Sequence, residues 1–487
     1  MNKYQCPHCA APFEDELDLS GRKVQCYKCG EKFIISAPLK KADTKSTDSE
    51  RLITSPEKQE TITRQGGHKI KIICLLIFFA ISATSLFIFK YKNEVTVTIN
   101  DTQSKSLSTN KMDPVLYKQL IDTYKFYDYI RSDSGFYLDS YNRKSGLEDK
   151  RISSASTGIG LASLAIAHEL NIDSQAEEKV IKTLKACLNK SPNIKLERNL
   201  NGLYRHWFDK DTGQTMWNSE FSTIDTALLV AGATICRNTF TDNQVIQQLS
   251  QELWSSINWE STRIDPYTFS LTQSTNGRNS GKTKIFNEYL LLSDYVSYAN
   301  QEPYLKINPQ WTRSSYGNNA VLSDRKHAKL PLFTFQFPLY LSPYRISSDI
   351  FIKESLKAAE VDRDWWQKQS KQNGIWGSSA GTGLKGYSVN ATEENHDMIA
   401  HLPAMYGFAP FDKEMAEEAL MSSKLYPSAI FKLNEMHIPW RISFEDRAWQ
   451  PRAVQGIDLS PLLFGLASMH PELGLDFFRQ KTKLNYK

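Results

Sequence analysis

Two stretches set the narrowest limits on what this chain can fold into. Residues 154–170 and 223–236 consist of Ala, Gly, Leu and other small or apolar residues, with charge only near an end. A helix that is apolar all round must be covered all round. Each stretch is followed by a helix of another kind. Ser174-Gln-Ala-Glu177 spells a capping box ahead of Val180, Leu184 and Leu188 on one face, and Asp242 stands as a cap ahead of Val245, Leu249 and Leu253. A third couplet begins near Ile285. At about 65 residues apart, the couplets are too widely spaced for a solenoid and suit a closed ring of helical hairpins. The small apolar helices are expected inside and the amphipathic ones outside, with the loops gathered at one end over a central cavity. A 40% apolar composition with 24 Phe, 22 Tyr and ten Trp supplies the core, and every Trp falls between Trp207 and Trp449.

The richest loop precedes the second small helix. Tyr204-Arg-His-Trp-Phe-Asp209 and Ser219-Glu-Phe-Ser-Thr-Ile-Asp225 bring aromatic rings, a histidine and carboxylates together. Rings beside carboxylates are what an enzyme needs to stack a sugar and move protons around it. His206, Trp207, Glu220 and Asp225 are therefore expected to contact substrate. Ser222-Thr-Ile-Asp225 equally spells a capping box, in which Asp225 serves the helix.

Glu288 lies in Ile285-Phe-Asn-Glu-Tyr-Leu-Leu-Leu-Ser293 and, at helical spacing, shares a face with Ile285, Leu292 and Tyr295. A carboxyl deprived of water keeps its proton to higher pH, as a general acid must; a buried ion pair is the alternative. Asp294 reads as a structural partner. Asp139, after the Gly135 turn, is a substrate contact or a turn cap. From spacing alone Asp458 caps the last long helix. Trp376 is expected to offer a sugar platform, whereas Trp365 and Trp366 read as the core of an outer helix. Glu393-Glu-Asn-His-Asp397 lacks the spacing of a helical metal motif, so no catalytic metal is expected. No phosphate loop, dinucleotide fingerprint or nucleophile elbow occurs. A net charge of +5 is small for 487 residues and gives no reason to expect nucleic acid on the barrel.

The first 112 residues have another character. Cys6-Pro-His-Cys9 and Cys26-Tyr-Lys-Cys29 are sixteen residues apart, the pattern of a closed four-cysteine site for structural Zn²⁺. The stretch resembles the short zinc-ribbon modules at the N-termini of many bacterial membrane proteins. Residues 1–36 are thus expected to form a ribbon, 37–70 a disordered linker, 71–91 a transmembrane helix, 92–112 a stalk and 113–487 the barrel. Residues 72–89 carry no charge and are long enough to span a bilayer. Arg51, Lys58, Arg64, Lys69 and Lys71 precede that run and only Lys90 and Lys92 closely follow it. Positive-inside then puts the ribbon in the cytoplasm, with an unknown partner, and the barrel in the periplasm as part of a single-pass protein of the inner membrane. Cys187 and Cys236 are expected to be two buried free thiols rather than a bridge.

The larger part resembles the bacterial glucoamylase-like domain family, which includes the endo-β-1,2-glucanases. The matching stretches are Gly135-Phe-Tyr-Leu-Asp139, Ser156-Thr-Gly-Ile-Gly-Leu-Ala162, Tyr204-Arg-His-Trp-Phe-Asp209 with Thr212-Gly213, Ser219-Glu-Phe-Ser-Thr-Ile-Asp-Thr-Ala-Leu-Leu-Val-Ala-Gly232, Asn287-Glu288-Tyr289, Ile375-Trp-Gly377 and Gly456-Ile-Asp458. The resemblance implies an all-α (α/α)6 barrel that hydrolyses β-glucan with inversion, Glu288 being the acid and Asp458 the base. Glu220, Asp225 and Asp139 would line the cleft. After Asp458 the family continues with Gly-Pro and a polar segment, whereas this chain reads Leu459-Ser-Pro-Leu-Leu-Phe464. The expectation is a membrane-anchored glycoside hydrolase acting on β-glucan or a related cell-surface polysaccharide, needing no cofactor for catalysis. The alternatives are a non-catalytic polysaccharide-binding barrel in an envelope assembly complex, or a transglycosylase or phosphorylase on the same scaffold.

Overall fold

The computed structural model describes residues 2–5, 7, 12–15, 23–25, 32–34, 111–370, 374–446 and 448–487. The chain divides into two units, 1–105 and 106–487. In the first, strands β1 (Asn2–Gln5) and β2 (Pro12–Asp15) pair antiparallel, as do β3 (Lys23–Gln25) and β4 (Lys32–Ile34). Cys6, Cys9, Cys26 and Cys29 lie outside the described residues, as does the run 72–89 expected to cross a membrane. Among the described residues no helix is long and apolar enough to cross one.

The second unit is a ring of helices. Among the described residues six of them are buried on nearly every side: α2 (Ser154–Glu169), α4 (Thr223–Thr239), α6 (Leu290–Ala299), α7 (Phe333–Leu341), α9 (Leu402–Tyr406) and α11 (Ser460–Met469). Five others bury one face against them: α1 (Pro114–Tyr129), α3 (Ala176–Cys187), α5 (Gln244–Ser255), α8 (Asp349–Ser370) and α10 (Lys413–Leu425). Between α6 and α7 the outer position is taken by residues 300–332, whose hairpin Arg313–Tyr316/Asn319–Leu322 packs on α8.

The small residues of α2 and α4 let their backbones touch. A Cβ on Gly232 would lie 1.9 Å from the Gly158 carbonyl oxygen, and one on Gly158 would lie 2.1 Å from that of Leu228. Only glycine permits this approach. The first two couplets therefore form as expected, with small helices inside and amphipathic ones outside; the third does not, since α6 is followed by residues 300–332 and their β-hairpin in place of an amphipathic helix. Their caps differ from the expectation. The capping box expected at Ser174 does not form: α3 starts at Ala176 and Gln175 precedes it without a side-chain bond, while Asp173 accepts from the Gln175 amide and bonds to Tyr124 and Lys179. Asn243, not Asp242, caps α5 by accepting from the Ile246 amide at 3.0 Å.

The two ends of the ring differ. Helix α12 (Gly474–Lys481) and the tail to Lys487 close one end, where the inner helices finish. Phe478 packs on Tyr340 and Phe464, Lys481 pairs with Glu169 at 2.7 Å, and Tyr486 stacks on Trp254. The other end carries loops sewn together by short antiparallel pairings. Ser140–Asn142 pairs with Ala453–Gln455, joining the first loop to the last, and Arg151–Ser153 pairs with Trp207–Asp209. Cys187 and Cys236 are buried free thiols. Trp365 and Trp366 are core residues of outer helix α8.

Candidate active site

The open end collects carboxylates ahead of the inner helices. Ser222 caps α4, accepting from the Asp225 amide at 3.2 Å, so half of the expected capping box exists. The return bond does not, since the Ser222 amide donates to the Tyr204 carbonyl at 3.0 Å. That frees the Asp225 carboxylate for another partner. Its Oδ2 lies 3.2 Å from His206 Nδ1, and Glu220 Oε1 lies 3.2 Å from the same nitrogen. The backbone fixes this arrangement: the His206 amide donates to Glu220 O at 2.9 Å, and His206 O accepts from the Ser154 amide at 3.3 Å.

Burial opposes a charge on the His206 ring. Asp225, Glu220 and Asp139 outweigh it and push the imidazole up to about 9, so at neutral pH it is a cation among carboxylates. Its hydrogen bond to Glu220 holds that carboxyl below the usual range. Asp139 accepts from Trp207 Nε1 at 3.2 Å through Oδ1 and faces Arg151 Nε at 3.2 Å through Oδ2. The Arg151 guanidinium lies 5.7 Å from the Trp207 ring centroid and 5.5 Å from that of Trp217. Trp217 is 63% exposed and has φ +53°, a conformation uncommon for a bulky residue and a mark of local constraint.

Glu288 is placed differently from the expectation. Helix α6 begins at Leu290, leaving Glu288 half-buried in the turn before it, while Ile285 is exposed and shares no buried face with it. The Asn287 side chain accepts from the Tyr289 amide in the turn that precedes this late helix start. Burial first, then the charges of Asp324 and Asp225, push the Glu288 carboxyl up to about 7. Asp294 is structural as expected, fully buried and hydrogen-bonded to Arg345 and Ser342.

Asp458 does not cap the last long helix. Leu459 occupies that place and no side chain caps α11. Asp458 is 4% exposed, and its Oδ2 has no hydrogen-bond partner among the described residues. Burial raises its carboxyl to about 7, against the lowering effect of Arg441 and Tyr387. The Tyr387 hydroxyl donates to Oδ1 at 3.4 Å. His401 Nε2 donates to the Asp458 carbonyl at 3.0 Å, and burial beside Arg441 keeps that imidazole neutral. The charge of Asp225 acts on both His206 and Glu288, and that of Asp139 on both His206 and Asp458. Asp139, His206, Trp207, Glu220, Asp225, Glu288 and Asp458 therefore belong to one electrostatically connected site.

Trp376 is not part of it. The residue is 1% exposed, its indole N–H donates to Glu418 Oε2 at 2.8 Å, and its ring stacks on Phe408, so it presents no platform to a sugar. Glu393 pairs with Lys329, and no group of side chains able to hold a metal occurs among the described residues. Three site residues escape sequence reasoning: Tyr387, His401 and Arg441. None carries a spacing signal, because strand pairing of Ile399–His401 with Arg441–Ser443 and a separate hairpin bring them to Asp458.

The sequence matches no family model and no curated protein. The fold has many solved counterparts. It is similar to an endo-β-1,2-glucanase from Chitinophaga pinensis solved with sophorotriose and glucose, at TM-score 0.63 and 18% identity over 75% of this chain and 94% of that one. An endo-β-1,2-glucanase from Talaromyces funiculosus solved with sophorose gives TM-score 0.51 and 13% identity over 73% and 85%. A cellobiose 2-epimerase from Spirochaeta thermophila gives TM-score 0.51 and 11% identity over 74% and 96%. The helical ring thus has the (α/α)6 barrel fold, on which both hydrolases and epimerases of sugars are built.

Proposed function

We propose that the barrel is a glycoside hydrolase acting on β-glucan or a related cell-surface polysaccharide, by an inverting acid/base mechanism. The observation that carries this reading is a pair of carboxyls, Glu288 and Asp458, each desolvated until it titrates near neutrality, in one site with Asp225 and Asp139. Inversion needs an acid that protonates the departing glycosidic oxygen and a base that removes a proton from water on the opposite face of the sugar. Glu288 is assigned the first task and Asp458 the second. The cationic His206, held between Glu220 and Asp225, orients those carboxylates toward sugar hydroxyls, while Trp207 and the exposed Trp217 offer apolar ring faces. Both glucanases cited were solved with β-1,2-linked sugars, which makes that linkage the first to try.

The test is reducing-sugar release by the full chain on β-1,2-, β-1,3-, β-1,4- and β-1,6-glucans, beside Glu288→Gln. Release from one linkage that vanishes in the variant supports the assignment, and activity that survives removes Glu288 from it. The enclosure of Asp458 favours a second reading, a barrel that binds polysaccharide without cutting it. Binding with no release from any glucan would establish that alternative.

For the amino-terminal unit we propose a structural zinc ribbon held in the cytoplasm by a single-pass anchor. Each Cys-x-x-Cys falls in sequence between two strands that pair antiparallel, the setting in which two thiolates of a turn meet one tetrahedral ion. One zinc per chain, lost on Cys6→Ser, together with protease protection of residues 1–70 in right-side-out vesicles, is the expected result. Zinc-free protein, or cleavage of the ribbon from outside, would refute it.

A further inference from the structure

The polar surroundings of Asp458 come from elsewhere in the chain than the segment that follows it. Residues 459–464 are apolar and buried in α11. The groups facing the carboxyl are instead Tyr387, Arg441, Asp139 and, through the backbone, His401; Tyr127 Oη donates to Gly456 O, two residues before it, at 2.6 Å. Tyr387 belongs to a two-stranded hairpin, Ala380–Gly383 paired with Gly386–Val389. The two strands differ in their hold on the barrel.

The first strand is buried and anchored. Arg441, itself fully buried, donates to Ser379 O at 3.2 Å and to Thr382 O at 2.8 Å. Gln455 exchanges two bonds with Thr382, at 3.1 and 2.8 Å. Gly381 has φ +142°, and a Cβ there would meet Arg441 Nη1 at 2.9 Å, so the guanidinium occupies space only a glycine leaves free. Among the described residues the second strand pairs only with the first, and it is largely exposed. Tyr387 is 59% exposed on that strand, yet its hydroxyl reaches inward to Asp458 Oδ1. The carboxyl beneath it has lost almost all contact with solvent, while the ring above presents a bare aromatic face at the site.

We propose that Tyr387 covers Asp458 in the ligand-free protein and forms a stacking surface for the sugar ring that displaces its hydroxyl from Oδ1. This rests on the reading of the barrel as a glycoside hydrolase with Asp458 as its base. A base must receive a proton from water, and among the described residues the one hydrogen bond to Oδ1 is long and made by a side chain on an exposed edge strand. A sugar laid against the ring has the contact that aromatic side chains make with the apolar faces of sugars. Yielding of the hydroxyl then opens Oδ1 to water only when substrate is in place, which limits proton traffic at an empty site.

The experiment pairs chemical labelling with kinetics on the full chain. Carbodiimide with glycine ethyl ester, mapped by peptide mass spectrometry, reports the reactivity of Asp458 against the more exposed Glu220 as an internal standard. In Tyr387→Ala and in the ring-preserving Tyr387→Phe, the Asp458/Glu220 labelling ratio is expected to rise at least about fivefold over wild type, since the hydroxyl is gone from both. On whichever glucan the wild type hydrolyses, Tyr387→Ala is expected to raise KM about tenfold while kcat falls less than about threefold, the signature of lost binding surface. An unchanged labelling ratio in both variants, or an unchanged KM in Tyr387→Ala, overturns the proposal. If the wild type hydrolyses no glucan, the hydrolase reading fails separately and takes the stacking role with it, and the labelling ratio alone then decides whether Tyr387 is the cover.

Discussion

His206 Nδ1 lies 3.2 Å from Asp225 Oδ2, a contact that exists because the Ser222 amide bonds to Tyr204 and not to the Asp225 carboxylate. An acid that its sequence position would assign to a helix end is turned into the mouth of the barrel. The charge on His206 follows from that diversion.

The first prediction concerns this pair. A histidine whose folded pKa is raised contributes stability that is fully present below its unfolded pKa and lost as pH climbs through the folded value. With the imidazole pushed from 6.5 to about 9, the wild type should lose up to about 3 kcal/mol of His206-linked stability across that window. Asp225→Asn removes the largest favourable charge and should bring the His206 titration down toward 6.5. Imidazole proton shifts followed by NMR, with thermal melts from pH 6 to 9.5, check both. A His206 that still titrates near 9 in the variant would show that Glu220 and Asp139 suffice.

Glu288→Gln should lose activity and gain stability together. A carboxyl raised from 4.5 to about 7 by burial destabilises the fold as pH rises above the unfolded value, by up to about 3 kcal/mol once pH exceeds 7. Glutamine removes that penalty. At pH 8 the variant should melt above wild type, and hydrolysis should fall by about 10²–10⁴-fold. A melt lowered at pH 8 would mean that Glu288 is held by an ion pair.

Glu288 must be protonated to act as the acid, and Asp458 ionised to act as the base. Both sit near 7. The pH dependence of kcat/KM should therefore be a narrow bell centred close to neutrality, because each group limits one side. A broad plateau from pH 5 to 8 would contradict that pairing of roles.

Gly232→Ala should destabilise the barrel without altering its chemistry. The added Cβ meets the Gly158 carbonyl oxygen at 1.9 Å, and neither helix can move without opening the contact between α2 and α4. About 1–3 kcal/mol of lost stability is expected, read as a lowered midpoint in urea. A substitution on the exposed face of α5, such as Gln248→Ala, should be nearly neutral by comparison.

The alternation of small and amphipathic helices was legible from composition and period alone. A helix of Ala, Gly and Leu has no face suited to water, and Gly158 against Gly232 is the atomic form of that rule. The buried thiols, the Trp365–Trp366 core pair and the crowding of His206, Trp207, Glu220 and Asp225 were legible for the same local reason. The missing cap at Ser174, the late start of α6 at Leu290 and the burial of Trp376 were not, because each depends on which neighbour claims a side chain first. Asp173 is taken by Lys179 and Tyr124, Asn287 by the Tyr289 amide and Trp376 by Glu418.

Sequence by itself thus determined the ring of helices and the acids at its mouth, since burial period and residue size act over one or two turns of chain. Only the tertiary structure decided what those acids are. Asp458 meets Tyr387 across 71 positions and the strand of Arg441 pairs with that of His401. Ionisation depends on charges and water excluded at distances of a few ångströms in space, which no spacing along the chain records.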